Sequence, residues 1–347
     1  MGFEVSQQRF RTARLSPVRF VKIAFLDLKL VYFAEDYSLF PKRYGGLRIF
    51  AAHLKEFDNF YIFADPECFN NLQPSERRDR CIATNADQRY LLASGAPVSQ
   101  VLPELGSFDL VVHPHTHVHL NTSGTKLKQL VWQLGIEEEV HPNHDRLLLY
   151  NDFQRIQLRN IHTKIYKFTL GTKIPEFFKE YPKEDFIFQC SRHVPVFNSI
   201  EIASFCNRNG IKAYFAGPVP DEYPFCEVID NKNSFYLGEI SEEEKIDYTR
   251  RARLYTLLQN WPTPFSLSAV EALSVGTPVV ATTWGFWPTL IKHGVNGFFA
   301  SNEAELLNAW NQSQFINQAE CYKSVLKYNH LAMIDSLYNV FGKICVD

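Results

Sequence analysis

One stretch in the second half of the chain carries residue types suited to a phosphorylated ligand. A predicted helix begins at about Ser266, after an apolar strand at 254–259 and a loop bounded by prolines. The N–H groups at a helix N-terminus carry partial positive charge and therefore favour phosphate. Glu271 lies inside this helix, where its carboxylate could accept hydrogen bonds from two ribose hydroxyls. The pattern therefore indicates a phosphate and ribose site.

A second concentration of chemistry is the segment from His113 to His119, which has a histidine at every other position. If the segment is extended, the four imidazoles share one face. Imidazole suits zinc, copper and iron, so one interpretation is a metal site. The alternative is a strand end with solvated or hydrogen-bonded histidines, and Pro114 argues against one regular strand. No carboxylate is placed nearby to complete a metal shell, and we expect no metal.

Several common site motifs do not occur in the sequence. The first strand is not followed by G-x-G-x-x-G, and the chain has no P-loop, no G-x-S-x-G nucleophile elbow and no D-x-D pair. A D-x-D pair commonly chelates Mn²⁺ or Mg²⁺, which prefer carboxylates. A nucleotide diphosphate would therefore have to be held by cationic side chains and helix N-termini. We expect no cofactor.

The elements that position these residues alternate between short apolar strands and helices. Apolar runs at 22–27, 59–64, 108–113 and 145–150 indicate strands, and a second set follows at 185–190, 212–217, 234–238, 254–259 and 277–282. Helical stretches lie between them at 46–57, 199–207, 241–253 and 266–274. The pattern predicts two Rossmann-like α/β domains with parallel sheets, facing a central cleft.

The alternation is interrupted once, in a proline-containing stretch around 167–182. We therefore predict a basic arm at 1–21, an N-terminal domain at 22–168, a linker at 169–184, a C-terminal domain at 185–325 and a final segment at 326–347. The arm has Arg9, Arg11, Arg14 and Arg19 against one acidic residue, Glu4. It is either a solvated arm or an anchor for an anionic acceptor or a membrane surface.

Composition and charge exclude other classes of protein. The chain has 347 residues, 46% of them apolar, which is enough for large buried cores and excludes disorder. Its 36 basic and 38 acidic residues give a formal charge of −2, so no global basic field favours nucleic acid. Seven cysteines without a C-x-x-C pair, and no signal peptide, indicate a reduced cytoplasmic protein, and a position at the periphery of a membrane is the alternative.

The segment Thr263-Pro-Phe-Ser-Leu-Ser-Ala-Val-Glu-Ala-Leu-Ser-Val-Gly-Thr-Pro-Val-Val-Ala281 resembles a family signature. It is similar to the E-P-F-G-L-x-x-x-E-A-x-A-x-G-T-P-V-V-A motif of the group 1 glycosyltransferases, the glycogen-synthase-like retaining family with the GT-B fold. Residues 288–297, 236–240 and 44–47 are similar to other segments of that family. Residues 328–341 resemble its terminal helix, which crosses back to the N-terminal domain.

The resemblance implies roles for particular residues. The donor would be a nucleotide-diphosphate sugar, with Glu271 on the ribose, Arg192 on the diphosphate, and the backbone N–H groups near Phe265, Ser266 and Leu267 beside it. Ile240 would lie near the base. Gly45 and Gly46 would form a turn that lets backbone approach the donor or acceptor. The segment from Asp109 is similar to the family's D-x-x-H-x-H at a strand end, with one extra residue before His113. It implies a donor-sugar contact by His113 first and His115 second.

Two departures from the family pattern affect its chemistry. Thr263 replaces the first of two glutamates, and Phe197 replaces the diphosphate lysine. As a donor-binding residue, Thr263 could still hydrogen-bond a sugar hydroxyl, but it supplies no charge. Losing one charge-assisted contact forfeits about 1.5–3 kcal/mol. Arg250, Arg251 and Arg253 could supply another cation, or they could form a solvated helix face.

The resemblance implies a retaining, metal-independent sugar transfer to an unidentified glycan, lipid, small molecule or other polymer. The alternative is a degenerate relative that binds nucleotide or glycan without turnover, as a regulatory or partner subunit. A third interpretation is a histidine-rich metal hydrolase.

Overall fold

The computed structural model describes residues 22–26, 60–64, 80–113, 117–133, 140–159 and 163–346. These residues form two compact units, each with its own sheet. The C-terminal unit is residues 171–329, and the N-terminal unit combines the described residues up to Leu170 with those from His330 onward. From 171 onward, the segment predicted as a linker therefore lies within the C-terminal unit.

The N-terminal unit contains a parallel sheet with seven strands in its described part. Its strands are β1 (Ile23–Leu26), β2 (Phe60–Ala64), β3 (Cys81–Ala83), β4 (Leu110–His113), β5 (Lys128–Trp132), β6 (Arg146–Leu149) and β7 (Lys164–Lys167). Their order is β3-β2-β1-β4-β5-β6-β7. At the centre, Ile23 of β1 is in register with Phe60 on one side and Leu110 on the other. Side chains of β1 and β4 are buried throughout, as a sheet covered on both faces requires.

The C-terminal unit contains a second parallel sheet, of six strands. These are β8 (Glu184–Cys190), β9 (Lys212–Ala216), β10 (Ser234–Tyr236), β11 (Ala252–Leu257), β12 (Val279–Ala281) and β13 (Gly297–Phe299). Their order is β10-β9-β8-β11-β12-β13, so β8 and β11 lie at the centre. The chain winds outward from β8 in one direction and then from β11 in the other. Because all six strands are parallel, the loops after β8 and β11 leave the same edge, on either side of the point where the winding reverses.

The helices follow the strands as α/β winding requires. They are α1 (Ala86–Ala93), α2 (Val98–Val101), α3 (Asp152–Gln157), α4 (Ser199–Asn209), α5 (Glu242–Arg251), α6 (Leu267–Ser274), α7 (Trp287–Leu290), α8 (Glu303–Ser313), α9 (Gln318–Val325) and α10 (His330–Val346). Within the described part of the chain, no helix combines the length and the apolar character needed to cross a membrane.

Two apolar clusters cover the faces of the C-terminal sheet. Phe186, Phe188 and Cys190 of β8 lie in one cluster with residues of α6 and α9, whereas Ile187 lies in the other with residues of α4 and α8. Alternate strand residues point to opposite faces, so β8 is buried from both sides. The sheet is thereby fixed as the scaffold from which the loops at its carboxyl edge project.

The elements expected from the sequence are present wherever the structure describes them. The strands predicted from 185 onward all overlap observed strands, and the predicted helix at 266–274 is observed as α6. The helix predicted at 241–253 ends at Arg251, because β11 begins directly afterwards at Ala252. The helix predicted at 46–57 and the basic arm at 1–21 lie outside the described residues. The predicted fold class, two α/β domains with parallel sheets, is confirmed.

Candidate functional site

The candidate site is formed by loops at the carboxyl edge of the C-terminal sheet. Hydrogen bonds join these loops: the Asn260 N–H donates to the Val196 carbonyl at 3.0 Å, and the Phe286 N–H donates to the Thr263 carbonyl at 2.9 Å. The segments after β8, β11 and β12 therefore lie side by side. This is the edge at which ligands bind in open parallel α/β sheets.

Helix α6 begins at this edge. Ser266 is its N-cap, and the Ser266 hydroxyl accepts a hydrogen bond from the Ala269 N–H at 3.3 Å. Leu267 is the first helical residue, one position after the start predicted at about Ser266. The Thr263 hydroxyl donates to the Phe265 carbonyl at 3.0 Å and so stabilises the turn before the helix. Thr263 stands where the family that the sequence resembles has a glutamate, and its hydroxyl is hydrogen-bonded within its own loop.

Glu271, in the middle of α6, belongs to a network of charged and polar side chains. Its Oε2 lies 3.1 Å from the Lys245 Nζ, and its Oε1 accepts a hydrogen bond from the Thr172 hydroxyl at 3.4 Å. Lys245 also lies 2.7 Å from Glu242, one turn earlier in α5. Burial opposes the charge on Lys245, but Glu271 and Glu242 outweigh it and raise the pKa of Lys245 above its usual value. Lys245 is therefore protonated around neutral pH.

A buried pair lies beneath this network. The Tyr255 hydroxyl donates to the Cys190 carbonyl at 3.0 Å and accepts from the Cys190 N–H at 3.3 Å. This bond fixes the end of β8, from which the loop containing Arg192 departs. Burial raises the pKa of the Cys190 thiol to about 12. Cys190 is therefore a neutral thiol, and a thiolate nucleophile at this position is excluded around neutral pH.

Phe265 and Ile240 are placed by packing. The Phe265 ring contacts the rings of Phe286 and Tyr328, with centroid separations of 4.7 and 5.5 Å. Ile240 is half-buried against the same apolar cluster, in the segment that leads from β10 to α5. The two residues therefore border the cluster that supports α6. Their predicted contacts with a donor stay predictions.

The cationic residues near the sequence motifs are at two different places. Arg192 is exposed and follows β8 at the carboxyl edge. Arg251 and Arg253 pair with Glu184 and Asp185, the first residues of β8, at the opposite edge of the sheet. Arg253 lies at the start of β11 and Arg251 in the last turn of α5, so both are at the end of the sheet away from the site. Arg250, which pairs with Asp247, lies in the same turn. These three arginines therefore do not replace the family's lysine. Phe197, which stands at the lysine position, is half-buried in the loop after β8.

His113 ends β4 in the N-terminal unit and is fully buried. Its Nε2 lies 3.2 Å from the Gln129 Oε1, and the Gln129 amide nitrogen lies 2.9 Å from His119 Nδ1. The His113 ring also lies 5.9 Å from that of His144, and His119 stacks on His141. This geometry matches the alternative of a hydrogen-bonded histidine at a strand end. The catalytic role of His113 stays a prediction.

Three predicted site residues, His115, Gly45 and Gly46, lie outside the described residues. Among the residues that are described, no group of three or more histidine, cysteine or carboxylate side chains is arranged to hold a metal ion. Gln129 lies within hydrogen-bonding distance of His113 and His119, and the His141 ring stacks on that of His119.

Comparison with known proteins gives a family match over the segment that contains the candidate site. Residues 173–328 match the family model described as "Glycosyl transferases group 1". No curated protein matches the chain in sequence. The matched segment contains Glu271, Lys245, Arg192 and Thr263.

Solved structures resemble most of the chain. A glycosyltransferase from Rickettsia africae ESF-5 is 13% identical, with a TM-score of 0.71 over 93% of this chain and 98% of that one. HepE from Anabaena, in complex with UDP and glucose, is 16% identical, with a TM-score of 0.70 over 93% and 100%. Sucrose-phosphate synthase from Thermosynechococcus elongatus is 14% identical, with a TM-score of 0.67 over 93% and 99%. These similarities show the GT-B fold.

The sequence motifs did not indicate two members of the network, Lys245 and Thr172. Lys245 follows Ser241 and Glu244, which form a capping box at the start of α5. The S-x-x-E pattern could have placed Lys245 in the first turn of a helix, at the carboxyl edge of the sheet. No local pattern marks Thr172, because it contacts Glu271 from 99 residues away in the chain.

Proposed function

We propose that the chain transfers a sugar from a nucleotide-diphosphate donor to an acceptor, with retention of anomeric configuration and without a metal ion. The match of residues 173–328 to the group 1 family supports the reaction class. The single observation that carries the donor assignment is the position of Glu271. It lies in a helix that begins at the carboxyl edge of a doubly wound sheet, with 29% of its side chain exposed. HepE, of the same fold, was solved with UDP-glucose, which makes UDP the first nucleotide to test.

Different residues of the site are proposed to bind different parts of the nucleotide-sugar donor. The Glu271 carboxylate is an acceptor-only group and suits the paired hydroxyls of a ribose. The N–H groups of the first turn of α6, with Arg192, suit the diphosphate, where negative charge grows as the bond to the sugar breaks. Ile240 borders the position proposed for the base. The acceptor is not assigned, and contact of the basic arm with an anionic acceptor or membrane stays a prediction.

The proposed chemistry needs no enzyme carboxylate at the anomeric carbon. The departing phosphate accepts the proton of the acceptor hydroxyl on the same face of the sugar, so the configuration is retained without a glycosyl-enzyme intermediate. Thr263 in place of a glutamate is compatible with this route, since a double displacement would need a carboxylate nucleophile. The neutral Cys190 thiol does not supply an alternative nucleophile.

A second candidate function is nucleotide or glycan binding without turnover. Two observations favour it: the Thr263 hydroxyl is engaged by the Phe265 carbonyl, and Phe197 occupies the lysine position. In this case Glu271 would still bind the ribose, but leaving-group stabilisation would be too weak for transfer. Nucleotide binding alone does not distinguish the two candidates, whereas turnover does.

The first prediction concerns nucleotide binding by Glu271. We expect one of UDP, GDP or ADP to bind the wild-type protein in calorimetric titrations, and Glu271→Gln to weaken it about 10- to 150-fold. This corresponds to one lost charge-assisted interaction of about 1.5–3 kcal/mol. Glu320→Gln is the matched control, because Glu320 is an exposed carboxylate that pairs with Lys323 on α9. We expect the control to bind like the wild type.

If no nucleotide binds a folded wild-type sample in these titrations, the proposed function is wrong. If a nucleotide binds, its sugar conjugates are incubated with the protein, with and without EDTA, and ¹³C-labelled sugar release or transfer is followed by NMR. Turnover with an unchanged anomeric configuration in EDTA supports the transferase. Tight binding without any sugar release supports the binding protein instead.

A further inference from the structure

Lys245 connects two helices at the candidate site. It lies in α5, contacts Glu242 at 2.7 Å within the same helix, and reaches across to Glu271 in α6 at 3.1 Å. Only 16% of its side chain is exposed. A lysine with this little exposure needs anionic partners, and its two carboxylates provide them. The contact with Glu271 is therefore part of a fixed arrangement.

The two Glu271 oxygens have different partners. Lys245 contacts Oε2, and the Thr172 hydroxyl donates to Oε1. An ionised carboxylate has about four lone-pair positions, so each oxygen keeps capacity for one further donor. Two neighbouring ribose hydroxyls supply two such donors. The existing contacts orient the carboxylate and leave capacity for the ligand.

Charge makes the orientation of Glu271 dependent on Lys245. A glutamate side chain has several rotatable bonds and loses conformational entropy when it is fixed. An ion pair made before the ligand arrives removes part of that cost from binding. Without Lys245, Glu242 and Glu271 would also face each other without a cation between them. Both effects predict a weaker and less selective ribose contact.

We infer that Lys245 is a positioning residue for nucleotide recognition, holding the Glu271 carboxylate ready for two ribose hydroxyls while Glu242 anchors Lys245. The inference rests on the proposed function of Glu271. It differs from a direct role, in which Lys245 would leave Glu271 and contact the diphosphate. A positioning residue acts on ribose selectivity, whereas a phosphate ligand acts on affinity for the diphosphate whichever sugar carries it.

The test compares UDP with 2′-deoxy-UDP, or the same pair with the base that the first titrations select. We expect the wild-type protein to prefer the ribonucleotide by about tenfold or more, because a site built to hydrogen-bond a hydroxyl rejects an analogue that lacks it. Lys245→Met should reduce this ratio about as far as Glu271→Gln does. Lys245→Arg, which keeps the charge, should retain part of it.

Lys323→Met is the matched control. Lys323 pairs with Glu320 three residues earlier, in the same i, i+3 arrangement as Lys245 and Glu242, but on an exposed helix surface. We expect the ribose preference of this variant to equal that of the wild type. The double variant Lys245→Met/Glu271→Gln should lose no more selectivity than Glu271→Gln alone, because one residue acts through the other.

Three results would overturn the inference while leaving the proposed function standing. The first is a wild-type ribose preference that survives in Lys245→Met. The second is an equal loss of affinity for both diphosphates with unchanged binding of uridine, which would make Lys245 a phosphate ligand. If Lys245→Met does not fold, Glu242→Gln takes its place, and unchanged selectivity in that variant is the third. Failure of the wild type to bind any nucleotide would instead refute the proposed function and this inference with it.

Discussion

At the scale of single residues, His193 shows how the loop after β8 is held. His193 follows Arg192 directly and is fully buried. Its Nδ1 lies 2.9 Å from the Ser199 hydroxyl, and its ring stacks on Phe225 with centroids 4.4 Å apart. Burial lowers the pKa of His193 to about 4. The ring is therefore neutral in the folded protein, and it anchors the loop from which Arg192 projects.

The second prediction is that His193 makes the fold sensitive to acid. The pKa is about 4 in the folded state and about 6.5 in the unfolded chain, so the unfolded state takes up the proton first as pH falls. The contribution of His193 to the free energy of unfolding is complete above pH 6.5 and is lost as pH falls from 6.5 to 4. Between pH 7 and pH 5 we expect it to decrease by about 2 kcal/mol.

Urea unfolding at pH 7 and pH 5 measures this contribution. His193→Gln keeps a hydrogen-bonding side chain but does not titrate, so its loss of stability on acidification should be about 2 kcal/mol smaller than that of the wild type. Other groups, such as His119, whose pKa is lowered by burial and by His141, contribute to both proteins alike. Equal acid sensitivity of the two proteins would show that His193 is not the titrating group.

At the scale of secondary-structure elements, Gly217 allows the backbone after β9 to pack directly against the backbone after β8. It follows β9 with a φ of +122°, and a Cβ at this position would lie 2.0 Å from the Ser191 carbonyl oxygen. Backbone therefore contacts backbone at the base of the Arg192 loop. A side chain here would be strained by its dihedral angle and would also push against a neighbour that cannot give way.

The third prediction compares two glycine substitutions. Gly210 ends α4 with a φ of +65°, but a Cβ there would meet nothing within 4 Å. Gly210→Ala should cost about 1–2 kcal/mol of stability through the dihedral angle alone. Gly217→Ala should cost about 3 kcal/mol or more, since the clash adds to the strain. The check is urea unfolding, with hydrogen exchange of residues 191–198 expected to speed up only in Gly217→Ala. Equal costs would contradict the close approach.

Local sequence pattern predicted the buried central strands but missed elements whose burial depends on tertiary contacts. The strand β5 begins with Lys128 and Gln129, which read as surface residues. Gln129 is nevertheless buried because His113 and His119 satisfy its amide. At the other extreme, β13 has three residues, too few for a periodic signal, and Gly297 is needed there because a Cβ would lie 2.1 Å from the Val279 carbonyl oxygen.

The same difference separates the predicted and unpredicted parts of the site. The start of α6 near Ser266 and the place of Glu271 in that helix follow from adjacent residues, so the sequence predicted them. Lys245 and Thr172 reach Glu271 from other elements, and their contacts depend on how α5 and the segment before β8 pack. Long-range packing of this kind leaves no periodic pattern in the sequence.

At the scale of the whole molecule, the described residues form two compact units, each with its own sheet and apolar core. The Glu271 network lies entirely within residues 171–329. The last helix, α10, belongs to the other unit. There the Lys128 ammonium, at the start of β5, donates to the Ile344 carbonyl at 2.8 Å. Stability of the N-terminal sheet should therefore depend on residues at the far end of the chain, while nucleotide affinity should not.

The fourth prediction tests this division with two leucines of α10. Leu337 is fully buried, whereas Leu331 is 48% exposed on the same helix. Leu337→Ala should cost about 2–5 kcal/mol through lost burial and the cavity left behind, and Leu331→Ala should cost much less. Hydrogen exchange should then accelerate in β4 and β5 of Leu337→Ala, more than in β8 and β11. Nucleotide affinity of both variants should stay within about twofold of the wild type, since the network around Glu271 is untouched.

If β8 and β11 lose protection first, or if Leu337→Ala abolishes nucleotide binding in a folded sample, the two cores are energetically coupled. The donor site then depends on more of the chain than residues 171–329.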